Sequence, residues 1–234
     1  MNYKRTFMLL CALFVFLPAV HASKIGAKTI DKFYDAYEAD SFIPEAALLG
    51  KKEKPVVYYD NEGSDLQSLR QDNYYKVTGA SAWRIAQGKE FSRKKTKGWH
   101  KDIMSFAELH KQKYAFVVSE KGESLSYIHK IYLLRPYTKT EMAQWKFWLE
   151  VRDLNEGENR RLAVDSGARV TVAFRNYPAL RAGIQRGDII VQIDGTVIKG
   201  KDDLTVFESA AQKGSTVSVH LVRNGMEKVI PVRL

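Results

Sequence analysis

Four histidines lie beyond the first 22 residues, His100, His110, His129 and His220. His100 and His110 stand ten apart, not the i, i+4 of a helical zinc pair. No carboxylates accompany any of the four at ligand spacing, so neither a metal nor another cofactor is expected. Ser92-Arg93-Lys94-Lys95 matches a Ser-x-x-Lys nucleophile pattern, but it sits in a densely charged stretch. A lysine there stays protonated, because nothing desolvates it. No Gly-x-Ser-x-Gly or Gly-Asn-Ser-Gly-Gly turn occurs to frame a serine nucleophile. Gly-x-Gly-x-x-Gly and phosphate-loop patterns are absent too, and the turn expected at Thr78-Gly79-Ala80-Ser81 precedes no helix. The expectation is a protein that is not an enzyme. An unrecognised hydrolase would need a pocket with at least two converging titratable groups, and no spacing promises one.

One charged run has a second use. Arg93, Lys94, Lys95, Lys97 and Lys101 put five positive charges around Trp99 with no acid between them. As a loop, such a run can meet lipid A phosphates or another anionic membrane surface. Its commoner use is as a solvated loop.

The elements that position these residues begin after a leader. Lys4 and Arg5, the apolar run Phe7 to Leu17 and Val20-His21-Ala22 have the order of a secretory signal cleaved near Ala22. The run is short for a bilayer span. The expected location is periplasmic or secreted, which makes nucleic acid an implausible partner. Cys11, the single cysteine, falls inside that leader, so residues 23–234 would hold together without disulfides or thiolate ligands. Formal charge is +10 for the whole chain and about +8 once Lys4 and Arg5 are removed, a value that bears on surface binding and not on fold.

Residues 23–55 form a lead segment in which Ile30, Phe33, Tyr34 and Tyr37 fall on one helical face. Residues 56–137 predict a small α/β domain. Its strands are Val56 to Tyr59, Tyr74 to Val77, Tyr114 to Val118 and Tyr127 to Leu134, and its helices are Asp65 to Arg70 and Asp102 to Lys111. The order β-α-β-α-β-β implies a four-stranded sheet with two helices. A linker, 138–145, follows. From 146 to 234 come a strand at Phe147 to Val151, a helix at Glu156 to Ala163, a strand at Ala168 to Phe174 and a helix at Asp202 to Gln212. Strands end the chain at Val217 to Val222 and Ile230 to Leu234, and Pro231 puts the last at a sheet edge. The fold class is α+β.

The centre of that last region is Asn176 to Gly195, NYPALRAGIQRGDIIVQIDG. Pro178 suits a first helical position, and Gly183 and Gly187 suit the positive φ that ends a helix and turns the chain. Asp194-Gly195 and Asn224-Gly225 are hairpin turns. Pro178-Ala179, Ala182-Gly183-Ile184 and Gly187-Asp188 resemble, in type and spacing, the PDZ domains of bacterial HtrA-type envelope proteins. The region ahead of 146 is too short for the two-barrel protease of those proteins. It resembles, more distantly, modules that precede PDZ domains in secreted bacterial proteins.

The resemblance implies that an extended peptide of another envelope protein adds as a strand, with its carboxylate near backbone amides. Lys146 to Leu149 would be the amide loop. Trp148, Leu149, Glu150 and Val151 would form one wall, and Phe207 with Ala210 and Ala211 the other. Glu150 stands where the family has glycine, and Trp148 where it has tyrosine. A carboxylate at 150 opposes an incoming one, with Lys146 or Arg152 near enough to offset it. The expectation is weak binding, or a preference for internal segments over free C-termini. The amino-acid sequence names no partner and no oligomeric state.

Overall fold

A computed structural model of the chain describes residues 19–20, 26–37, 47–60, 65–85, 97–122, 126–162 and 164–234. Of the leader, only Ala19–Val20 lies within these. The fold mixes helix and sheet throughout, and the chain divides into two compact units. The first holds residues up to Leu69 together with Tyr75–Thr138. The second holds Arg70–Tyr74 and Lys139–Leu234. Among the described residues no helix is long and apolar enough to cross a membrane.

The first unit contains strands β1 (Ala19–Val20), β2 (Tyr34–Ala36), β3 (Val56–Tyr59), β4 (Tyr75–Ile85), β5 (Tyr114–Lys121) and β6 (Tyr127–Pro136). They form one sheet in the order β1-β4-β6-β5-β3, with β2 also on β4. Its helices are α1 (Ala27–Asp31), α2 (Leu66–Asn73, of which the unit takes the first turn) and α3 (Lys97–Leu109). The period-2 alternation of the strands builds a core on each face. Ile103, Phe106 and Ala107 of α3 pack on Val57, Tyr59, Ala115, Val117 and Ile131. Leu66 and Leu69 pack with Tyr75, Phe116 and Leu134, whose strand positions fall on the opposite face.

Three expectations change here. The sheet has six strands where the order of the 56–137 region implied four, because Ala19–Val20 and Tyr34–Ala36 also pair with β4. The stripe Ile30, Phe33, Tyr34, Tyr37 is not one helix face. Helix α1 stops at Asp31, and Tyr34–Ala36 pairs antiparallel with Ser81–Gly79. The hydroxyl of Ser81 donates to the Ile30 carbonyl at 2.7 Å, satisfying an acceptor the helix would have used to continue. Thr78 to Ser81 is also not a turn, because β4 runs through it for 11 residues with an irregular register between Val77 and Gly79. A Cβ at Gly79 would lie 2.5 Å from the Tyr34 ring, so this glycine admits an aromatic ring and does not turn the chain.

The second unit contains α4 (Lys139–Ala143), β7 (Leu149–Asp153), α5 (Glu156–Leu162), β8 (Ala168–Ala173), α6 (Pro178–Ala182), β9 (Ile189–Ile193), β10 (Thr196–Val197), α7 (Lys201–Ala210), β11 (Thr216–Arg223) and β12 (Met226–Arg233). A short helix, α4, thus occupies the expected linker. The sheet order is β12-β11-β9-β8-β7, with β10 folded back on β9. Gly183 ends α6 at φ +95, and Asp194-Gly195 and Asn224-Gly225 turn with positive φ at both residues. Phe147, Leu149, Val170, Ile184, Ile190, Leu204, Val219 and Val232 share one core.

His129 gives the first unit a measurable pH dependence. Its ring is fully buried, with Nδ1 3.1 Å from the Ser119 hydroxyl, and burial pushes its pKa down to about 4. The unfolded chain takes up this proton near pH 6.5 and the folded chain only near pH 4. Stability from the neutral ring is therefore complete above pH 6.5, falls as pH drops between those values, and is flat below. The loss amounts to roughly 3 kcal/mol at about 1.4 kcal/mol per pH unit. Urea denaturation of the first unit from pH 7 to pH 4 is expected to show this decline. His129→Gln should flatten the slope, and an unchanged slope in that variant would assign the decline to other groups.

Candidate functional site

The sheet of the second unit ends in β7 on one side and β12 on the other, with α7 against β7 and α6 against β12. Strand β7 is terminal and pairs only with β8 among the described residues, Leu149 opposite Ala173 and Asp153 opposite Ala168. Helix α7 is tied to that strand and to the loop before it. At the start of the helix, the N–H of Lys201 donates to Asp153 Oδ1 at 2.8 Å. At its other end the Glu208 carboxylate accepts from the N–H groups of Lys146 and Phe147 at 3.0 and 2.8 Å. Lys146 answers with its ammonium, which donates to the carbonyls of Ser209 (3.2 Å) and Ala211. A cation there meets the negative end of the helix and satisfies carbonyls left over at its C-terminus.

The loop is fixed from its other side as well. The Phe147 carbonyl accepts from Ala179 N–H at 3.2 Å, and that of Trp148 from Phe174 N–H at 3.1 Å. Trp148 sits at φ +59, a left-handed conformation uncommon for a large side chain. Its ring stacks on Tyr177 with centroids 3.5 Å apart, and its edge meets Trp145 at 5.5 Å. Burial raises the Glu208 carboxyl above the usual range, although the two N–H bonds and Lys146 pull the other way.

The residues expected to line the groove divide in kind. Leu149 is 6% exposed and belongs to the core, with half-buried Val151 packed against it. Phe207 is half-buried against the same core, its ring 6.2 Å from that of Phe147. Ala210 is exposed and Ala211 half-buried just past the helix. Glu150 is on neither wall as an unpaired charge. Its carboxylate accepts from Arg70 Nη2 at 2.5 and 2.6 Å and from the Thr171 hydroxyl at 2.9 Å. Neither expected counter-ion serves it, since Lys146 is turned to α7 and Arg152 is paired with Glu158. Nothing in the sequence marks Asp153 or Glu208 as functional, since acids on a helix or strand end usually face water.

The basic run is only partly described. Arg93, Lys94 and Lys95 lie outside the described residues, α3 begins at Lys97, and Lys101 is exposed on that helix. From Lys97 onward the stretch is therefore helix and not loop. Trp99 packs against the core of the first unit, and His100 Nδ1 is 2.8 Å from the Tyr59 hydroxyl. His110 pairs with Asp31 at 2.7 Å, and among the described residues no three metal-ligating side chains converge.

Residues 150–234 match the PDZ domain family model. A probable periplasmic DegP-like serine endoprotease of Halomonas elongata is 31% identical over 40% of this chain and 20% of its own length. The carboxy-terminal processing protease CtpB of Bacillus subtilis is 32% identical over 34% of this chain and 17% of its own. The chain spans about a fifth of the length of the curated relatives it matches. Among solved structures, the HtrA3 PDZ domain bound to a phage-derived ligand is 23% identical, covering 37% of this chain and 81% of that one at a TM-score of 0.34. The HtrA-type protease AlgW with a decapeptide is 20% identical over 44% of this chain and 36% of its own, TM-score 0.35. The C-terminal third of this chain is thus a PDZ domain of the HtrA type, and the similarity stops short of the protease domain.

Proposed function

We propose that the protein is a non-enzymatic periplasmic binding protein whose PDZ domain takes an extended segment of another envelope protein as a strand added to β7. The carrying observation is the terminal position of β7 with α7 tied beside it. Strand addition needs a row of free backbone groups, and a terminal strand supplies them. Membership of the PDZ family and the periplasmic relatives support the same reading.

Among the described residues of the first unit, the serine–histidine contact that most resembles a hydrolytic pair does not compete with it. Ser119 and His129 are within hydrogen-bond distance, but the imidazole has no exposure to solvent. A general base must reach the proton it removes in a bound substrate, and this one is shielded.

The preference for internal segments follows from a different residue than Glu150. The guanidinium of Arg70 neutralises Glu150, so its repulsion of an incoming carboxylate is small. Glu208 already holds the N–H groups of Lys146 and Phe147, in the loop expected to receive a peptide terminus. An incoming carboxylate meets a like charge there and finds two donors taken.

Titration of the intact protein with one peptide set, each member as free acid and as C-terminal amide, tests both steps. Binding is expected with little or no advantage for the free acid. Absence of binding by every peptide, with β7 amide signals unmoved, would overturn the strand-addition reading. In Glu208→Ala the free acid is expected to gain about tenfold, the worth of a charge-assisted hydrogen bond, while the amide changes little. Equal gains for both forms would show that Glu208 shapes the loop without selecting the terminus.

A further inference from the structure

A second feature of the PDZ domain lies away from β7 and α7. Arg161 at the end of α5, Arg169 at the start of β8, Arg186 between α6 and β9, and Arg223 at the end of β11 line a cleft of about 460 Å³. That volume is in the range of small-ligand pockets. Asp188 is the one carboxylate in its lining, and it is spoken for. It accepts from Arg223 Nε and Nη2 at 2.6 Å each and from the Gln185 N–H at 2.8 Å. Glu158, behind the cleft, accepts from Arg152 and from the Asn155 N–H.

The other three arginines are less well served. Arg169 Nη1 is shut off from solvent and lies 3.1 Å from Glu158 Oε1, but the approach does not make a hydrogen bond. The carboxylate it faces is shared with Arg152, so the charge of Arg169 is only partly answered. Gly187 lines the same cleft at φ +94, and a Cβ there would only just touch Arg169 Nη2, at 3.9 Å. Arg161 and Arg186 are exposed, and neither has an ion pair among the described residues. With Arg152 included, five guanidiniums share two carboxylates, an excess of three positive charges around the cleft.

The geometry points to a phosphate-binding site at this cleft, taking a free phosphate or a phosphate monoester. A carboxylate is satisfied by one guanidinium fork. Donors arriving from three separate chain segments suit a tetrahedral group with three acceptor oxygens and a charge near −2. This inference is independent of the strand-addition reading.

The test is NMR titration of the intact protein with inorganic phosphate and pyrophosphate at low ionic strength, with citrate as the carboxylate control. Co-sedimentation with phosphatidic acid vesicles runs beside it, using phosphatidylcholine vesicles as blank. Millimolar phosphate or pyrophosphate should move the Arg161, Arg169 and Gly187 signals more than citrate does. The double variant Arg161→Ala, Arg186→Ala removes two exposed side chains and is expected to fold normally. It should bind about tenfold more weakly, as two charge-assisted contacts imply. Binding of the soluble anions assigns the group to a free ion or ester. Vesicle binding that the double variant loses assigns it to a lipid headgroup, and either result supports the cleft. Equal binding by the double variant, citrate as effective as phosphate, or no response to either source overturns it.

Discussion

The second unit depends on how two half-buried N–H groups are satisfied. Lys146 and Phe147 precede β7 and lack strand partners, so their amides need an acceptor from elsewhere. A buried donor left without one costs on the order of 1–3 kcal/mol. Glu208 supplies it by reaching from α7, and Lys146 closes the exchange by donating to the end of the same helix. Each partner corrects a deficiency of the other, since the loop has spare donors and the helix end has spare acceptors. The loop geometry follows. With its N–H groups held on one side and the carbonyls of Phe147 and Trp148 held on the other, Trp148 is left at positive φ. Stacking on Tyr177 and the edge contact with Trp145 make that conformation tolerable for so large a side chain.

Glu150 shows why a departure from a family pattern is best read through its partners. On sequence, a carboxylate in place of glycine reads as a repulsive charge. Alternation places it opposite in direction to Leu149 and Val151, and there it meets Arg70, which is only 6% exposed. A buried guanidinium without a carboxylate would be costly, and a carboxylate in that position answers it. A carboxylate at this position has a use that glycine would not serve. Arg70 stands 80 residues earlier in the chain, so no local pattern could have announced the pair.

Legibility followed the range of the interactions. The hairpins at Asp194-Gly195 and Asn224-Gly225, the αL end of α6 at Gly183 and the alternation along β11 are local, and the residues state them directly. The four strands and two helices of the 56–137 region were readable for the same reason. What could not be read was tertiary. Tyr34 has the spacing of a helix face, yet β4 offers it an open edge and Gly79 the room for its ring. Neighbouring strands overrode propensity there. Gly79 itself read as a turn because a strand glycine and a turn glycine look alike in sequence. Glu208 is the sharpest case. It directly follows Phe207, whose apolar face is plain in the sequence, and an acid on a ten-residue helix gives no sign that it will leave water for two backbone amides.

The same accounting separates paired from surplus charge in the PDZ domain. Glu150 with Arg70, Glu158 with Arg152, Asp188 with Arg223 and Glu208 with two amides leave each of these four carboxylates occupied. Such pairs hold shape but contribute little net stability, because desolvation offsets most of the attraction. Their effect is positional. By occupying the nearby acids, they leave Arg161 and Arg186 without an internal counter-charge and keep Arg169 only partly served. Occupying these four acids lets positive charge gather at one place without one of them collapsing onto it. Such a field acts on ligands from solution, and it acts more strongly for being framed by a low-dielectric wall.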